Sequence, residues 1–425
     1  MSSEMRSKLH IKVGAWHRRP HGATQPVRYL AGLFLVAASA SFTPAWADKP
    51  AELNLYSARH YHTDEALYND FTKTTGIKIN RIEASDNALI ERLKSEGAKS
   101  PADVILLVDA ARLWRAETDG LFRATQSDYL TARIPANLHS SVQPDGVKWF
   151  GFSTRARVIV YNKARMQASD VDSYEKLAEP RNKGQVCTRS GSHPYMLSLV
   201  GAMIDREGVP ATEAWARGMV ANMARAPRGG DTDQIKAVAS GECGVALTNS
   251  YYFVRMLRSK KPEDQALIAK LGFVWPNQQT SGTHINIAGG GVAKNAPHPE
   301  AARKFLEYLA SDAAQAYFAD GNNEWPVVTS VKVENDGLAK LGPFKVENVS
   351  VAAMGRNQVE AQKITITELN VRMSDTTTHC KVELFKSPTP WPHVPVSRNK
   401  SKTPVVFPVS GIAPPRRFSA VDEMR

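Results

Sequence analysis

The stretch "GVALTNSYYFVRML", residues 244–257, begins as an apolar strand, passes through Thr248-Asn249-Ser250 and turns helical at two adjacent tyrosines, Tyr251 and Tyr252. A strand that hands over to a helix is half of a β–α unit, and ligands in α/β sheets gather there, beyond the carboxyl ends of the strands. The same handover recurs upstream. "QVCTRS" (185–190) reads as a strand and "HPYMLSLVGAMIDREG" (193–208) as a helix that opens at Tyr195. Near the start, "AELNLYSA" (51–58) is a strand, His60, Tyr61 and His62 follow it, and "TDEALYNDFTKTTG" (63–76) is a helix with Thr63 at its N-cap position.

Strands alternating with helices continue through 77–122, where "ADVILLVD" (102–109) suits a parallel strand buried on both faces. The long extended run "VKWFGFSTRARVIVYN" (147–162) reads as a strand leaving one domain and entering another. The pattern then restarts, and "FVWPNQ" (273–278) and "HINIAGGGVAKNA" (284–296) read as strands returning to the first domain. The expected fold class is α/β: two domains, each a mixed, mostly parallel sheet flanked by helices, with a hinge of crossing strands. Domain 1 is expected over 48–152, domain 2 over 153–272, and a return to domain 1 with the C-terminal helices over 273–363. A cleft between two such domains is a favoured ligand site.

The ends differ from the body. Arg28, the apolar run "YLAGLFLVAASA" (29–40) and Ala45-Trp46-Ala47 make a signal peptide cleaved after residue 47, too short and apolar only in part to span a bilayer. The stretch before Arg28 is long for a leader, which would fit an initiator downstream of Met1. The expected location is the periplasm. Beyond about Ile364 the chain is Pro-rich and aperiodic and carries Cys380, so 364–425 reads as a disordered tail, with a small accessory module or a fused terminus as alternatives. The formal net charge of +12 sits largely in these two ends. No basic stripe with interleaved aromatics argues for nucleic acid.

Cys187 precedes Tyr195 by eight residues, and Cys243 precedes Tyr251 by eight. If their strands are neighbours in register, the cysteines lie about 5 Å apart, within disulfide range. The three tyrosines then meet at one end of the sheet. Two buried free thiols are the alternative. Tyrosine has a pKa near 10 and is a poor base at neutral pH. A trivalent cation can deprotonate it. Phenolate is a hard oxygen donor that suits Fe3+, whereas soft metals prefer thiolates. Three phenolates would neutralise three charges, leaving a buried site with little net charge.

Taken together, "YSARHYHTDEALY", "PADVILLVD", "GFSTRARVIVYN", the tyrosine after "CTRSGSHPY" and "TNSYYF" resemble the periplasmic iron-binding proteins of ABC transporters, the bacterial transferrin-like family, and in particular its subgroup with an RHY motif. The resemblance covers about residues 52–363 and implies the two-domain fold of a type II-like periplasmic binding protein. It implies iron ligands at Tyr61, Tyr195, Tyr251 and Tyr252, with His60 a ligand in some members of the family and not in others. It implies Fe3+ as the cargo, with Fe2+ as the alternative that His60 would favour, and a synergistic anion such as carbonate or citrate. Arg155 and Arg157, alternating on one face of the crossing strand, could hold that anion or could make hinge salt bridges; Arg59 is a weaker candidate. The implied partners are a membrane permease and its ATPase subunit, with the protein itself a monomer that closes about a hinge.

Two other readings keep or discard the fold. A small organic solute such as a polyamine, phosphonate or sulfonate could be caged by the aromatics. An enzyme finds no support in a G-x-S-x-G elbow, an H-E-x-x-H motif or a P-loop, and His60-x-His62 alone is a weak zinc signal.

Overall fold

The computed structural model describes residues 51–59 and 61–366. The leader, His60 and the tail from residue 367, Cys380 included, lie outside the described residues. Nine strands build one mixed sheet: β1 (Glu52–Ser57), β2 (Lys78–Glu83), β3 (Val104–Leu107), β4 (Phe150–Asn162), β5 (Val186–Cys187), β6 (Val245–Asn249), β7 (Leu271–Val274), β8 (Ile285–Val292) and β9 (Trp325–Pro326). The order is β2-β1-β3-β8-β4-β6-β5, with β7 and β9 pairing β4 off that path. β1 is parallel to β2 and β3, and β5 is parallel to β6. β8 runs antiparallel to its neighbours β3 and β4.

β4 joins the two halves of the sheet. Its residues from Phe150 to Ala156 pair with β8, and those from Arg157 to Tyr161 pair with β6. The segment 273–278, expected to be a returning strand, divides. Phe273 and Val274 complete β7 against the far end of β4, and only β8 returns to the first half. The second crossing is therefore the loop between Val274 and Ile285.

Hydrophobic burial follows the same division. One core surrounds the first half, with Leu55, Ile105, Phe150 and Phe305 among its members. Two further cores cover the two faces of the second half. Ile159 points into one and Val160 into the other, as the two-residue period of a strand requires. The glycine run of β8 has a packing cause. A Cβ at Gly289, Gly290 or Gly291 would run into the backbone carbonyl of Phe150, Ile105 or Lys148, so only glycine lets β8 sit this close to its neighbours.

The C-terminal helices do more than complete the first half. Helix Val351–Arg356 lies between helix Ala110–Thr118 of the first half and helix Pro194–Glu207 of the second. A Cβ on Gly355 would enter the Trp114 ring, and one on Gly201 would press on the carbonyl of Met354. Asn357 donates to the carbonyl of Gly201 at 2.9 Å, and Ala361 and Ile364 of helix Gln358–Ile364 belong to a core of the second half.

Candidate metal centre

Each candidate tyrosine is delivered by a strand end. In the first half, β1 stops at Ser57 and Arg59 is buried immediately after it. The Arg59 guanidinium grips Asp64 with two bonds, Nε to Oδ2 at 2.9 Å and Nη2 to Oδ1 at 3.2 Å. Asp64 opens helix Asp64–Thr75, and its N–H donates to the carbonyl of Tyr61 at 2.9 Å. The turn carrying Tyr61 is thus fixed from both sides. Thr63, expected to cap this helix, makes no capping bond; its hydroxyl goes to Asn322 instead.

In the second half, His193 caps helix Pro194–Glu207, its Nδ1 accepting from the Tyr195 N–H at 3.2 Å. Pro194 sits in the first turn, where its missing N–H costs nothing. β6 ends at Asn249, whose N–H donates to Asp231 at 2.7 Å, and Ser250 Oγ accepts from the Ala156 N–H at 3.2 Å. These contacts fix the first turn of helix Ser250–Leu257, which presents Tyr251 and Tyr252.

The four phenols converge. The hydroxyls of Tyr195 and Tyr251 stand 3.1 Å apart. The rings of Tyr251 and Tyr252 lie 4.2 Å centroid to centroid, and Tyr61 meets Tyr251 edge-on at 5.9 Å. Tyr251 is buried, while Tyr61 and Tyr252 are half-buried. Burial pushes the phenols of Tyr61, Tyr195 and Tyr251 above their ordinary range. Glu324 and Tyr195 add to the rise at Tyr61, while Arg59 and Arg155 oppose it. Burial therefore keeps these phenols protonated at neutral pH unless a cation displaces the proton.

The two arginines of β4 separate in role. Arg157 forms a buried ion pair with Asp231 at 2.7 Å and also donates to Asn249. Arg189 shares Asp231 at 3.3 Å, so this carboxylate holds β4, β6 and the chain after β5 together. Arg155 is equally buried, yet none of its three guanidinium nitrogens has a hydrogen-bond acceptor among the described residues. It lies 5.7 Å from the centroid of the Tyr195 ring, facing the phenols. The nearby charge of Glu324 favours the Arg155 cation, but a buried guanidinium without a hydrogen-bond acceptor is costly, and an arriving anion or phenolate would compensate it.

Cys187 and Cys243 form a disulfide, with 5.9 Å between their Cα atoms. The strands are not in the expected register, since Cys187 lies opposite Ala246. The bridge forms because the chain folds back before β6, where the Gly244 N–H reaches the carbonyl of Gln185 at 2.8 Å.

His60 lies outside the described residues, and His62 is exposed. Among the described residues no group of three or more His, Cys, Asp or Glu is placed to hold a metal ion. Sequence reading missed Glu324, Asp231, Arg189 and His193. Arg189 and His193 flank Tyr195 within the quoted handover. Glu324 and Asp231 are lone acids whose importance comes only from distant partners. His193, half-buried and beside the charges of Arg189, Arg157 and Arg112, is pulled down to about 2 and is neutral.

Known proteins resemble this chain in sequence and in fold. Residues 66–340 match the family model of the bacterial extracellular solute-binding proteins. Iron uptake protein A1 of Synechocystis is 49% identical over 321 residues, spanning 75% of this chain and 88% of that protein. The structure of the Trichodesmium protein FutA (IdiA), solved with iron and citrate ligands, is 50% identical with a TM-score of 0.69, covering 75% of this chain and 99% of the other. The ferric binding protein of Campylobacter jejuni is 38% identical with a TM-score of 0.70, covering 74% and 98%.

Proposed function

The chain belongs to the bacterial extracellular solute-binding proteins, and from that premise we propose that it captures ferric iron between the two halves of its sheet and hands it to an ABC permease driven by an ATPase subunit. The observation that carries the reading is the clustering of Tyr61, Tyr195, Tyr251 and Tyr252, with the hydroxyls of Tyr195 and Tyr251 3.1 Å apart and the rings of Tyr61 and Tyr252 both packed against that of Tyr251. Its relatives include an iron uptake protein and structures solved as ferric binding proteins.

In this mechanism Tyr195, Tyr251 and Tyr252 form a half-shell on the second half, and Tyr61 completes it from the first. The segments 48–152 and 273–363, less β7 and the helix that joins the second core, rotate against 153–272 about β4 and the loop after β7. Fe3+ displaces the phenol protons, and the phenolates neutralise its charge. Arg155 supports this in one of two ways: it balances phenolate charge directly or binds a synergistic anion such as carbonate or citrate. Arg157, already paired with Asp231, serves the hinge. His60 remains a candidate fifth ligand that would tilt the site towards Fe2+. The protein works in the periplasm, released by cleavage after Ala47, and acts as a monomer.

The deciding experiment is an absorbance titration of the mature protein with ferric citrate, repeated on Tyr251→Phe. A visible tyrosinate-to-iron charge-transfer band that saturates at one equivalent, and is lost in the variant, supports the reading. Absence of the band, with no iron retained after desalting, would turn the assignment to an organic solute or to Fe2+.

A further inference from the structure

We propose that Glu324 is a positioning residue for Tyr61, setting the pose of the one cluster tyrosine that comes from the first half of the sheet. The inference rests on the ferric reading above.

Glu324 is fully buried, which is unusual for a carboxylate unless its oxygens are committed. They are. Oε2 accepts from Ser153 Oγ at 2.8 Å and from Arg59 Nη1 at 3.2 Å. This anchors it both to β4 and to the turn before Tyr61. Oε1 is then left facing the Tyr61 hydroxyl, 3.4 Å away. Arg59 closes the arrangement, its guanidinium 5.0 Å from the centroid of the Tyr61 ring. Tyr61 therefore has a fixed cation beside its ring and a fixed acceptor at its hydroxyl.

Local chemistry explains how the acid is aimed. Helix Asp312–Asn322 ends on Asn323 in the left-handed region, φ 59°, a conformation asparagine tolerates better than most residues. Asn323 Oδ1 is held there by Arg258 and Asn335 at 2.8 and 2.9 Å. The next residue, Glu324, is turned inward, and β9 then pairs with Ser153 and Thr154 of β4. The plain alternative is that Glu324 only balances the charge of Arg59. That role does not need the Tyr61 hydroxyl, so the two can be separated.

The test is a double-mutant cycle between Glu324→Gln and Tyr61→Phe, read as ferric iron affinity in competition with citrate. Glu324→Gln alone is expected to weaken binding about tenfold, as for an outer partner of a metal ligand. In the Tyr61→Phe background the same change is expected to cost less than about threefold. Equal losses in both backgrounds, or no loss in Glu324→Gln, would overturn the proposal. Ser153→Ala provides a milder probe that keeps the charge, with an expected loss of about two- to threefold that also shrinks when Tyr61 is phenylalanine. A second readout needs no iron. In metal-free protein labelled at tyrosine Cζ, the Tyr61 resonance is expected to move in Glu324→Gln and Ser153→Ala, and an unmoved resonance counts against the proposal. Failure of wild-type protein to bind ferric iron would instead sink the functional reading, with the resonance still deciding the role of Glu324.

Discussion

The hydroxyls of Tyr195 and Tyr251 meet at 3.1 Å across 56 residues of sequence, and the Cys187–Cys243 disulfide spans the same 56. Each cysteine thus lies eight residues before its tyrosine. The bridge fastens the near ends of two β–α handovers whose far ends bring the phenols together.

Replacing Tyr195 with phenylalanine removes that contact while keeping the ring. One hydroxyl pair is worth about 1 kcal/mol, so the fold should melt within a few degrees of wild type. Iron affinity should fall by more than about 100-fold, beyond the range seen when only an outer partner of a ligand is lost. Thermal melts and citrate competition on the same sample check both halves of the expectation.

The disulfide contributes to stability. Cys187→Ser with Cys243→Ser should lower unfolding free energy by about 2–4 kcal/mol, measured by urea denaturation. Both sulfurs are buried, so reductant alone should act only once denaturant has opened the second half. The folded double variant should still develop the charge-transfer band.

Iron binding should release protons. Burial holds Tyr61, Tyr195 and Tyr251 above the ordinary phenol range in the empty cleft, so a cation must displace a proton from each phenol it ligates. Affinity therefore rises with pH and falls on acidification, with about one proton released per phenolate formed. Indicator dye in weak buffer at pH 7.5, corrected for the chelator, should count about four protons, one for each of Tyr61, Tyr195, Tyr251 and Tyr252, and about one fewer for Tyr61→Phe.

Arg155 and Arg157 should respond in opposite ways. Arg157→Met takes the shorter of two ion pairs from buried Asp231, leaving it Arg189 and the Asn249 N–H, and should cost about 1.5–3 kcal/mol of stability. Arg155→Met removes a buried charge that has no hydrogen-bond acceptor among the described residues, so the empty protein should be unchanged or more stable. Iron retention should nevertheless weaken in Arg155→Met, most visibly when carbonate or citrate is present. Urea midpoints and desalting assays separate the two outcomes.

Local pattern carried much of this into the sequence. The handovers at Tyr61, Tyr195 and Tyr251 were legible because a strand, a polar turn and a helix each leave a periodic mark. The disulfide was legible through equal spacing, although the register that produces it was not, since the fold-back at Gly244 has no periodic sign. Contacts that depend on distant pairing were hidden. Asp231 and Glu324 look like ordinary acids until β4 brings Arg157 and Ser153 to them. The early placement of 273–278 failed for a related reason: an apolar run shows that a strand exists, not which half of β4 it will join. His60, the leader and the tail after residue 366 lie outside the described residues.

Helix Val351–Arg356 bears on how the molecule would move. It is wedged between one helix from each half, with glycines at Gly201 and Gly355 where any larger side chain would collide. Two bodies rotating about β4 would have to slide against this wedge or turn about it. Such a bearing permits a short angular stroke along one direction and resists twist or separation. Tyr61 would then return to Tyr251 along the same arc at each closure, and the breadth of the opening would be set by a helix that carries none of the four phenols.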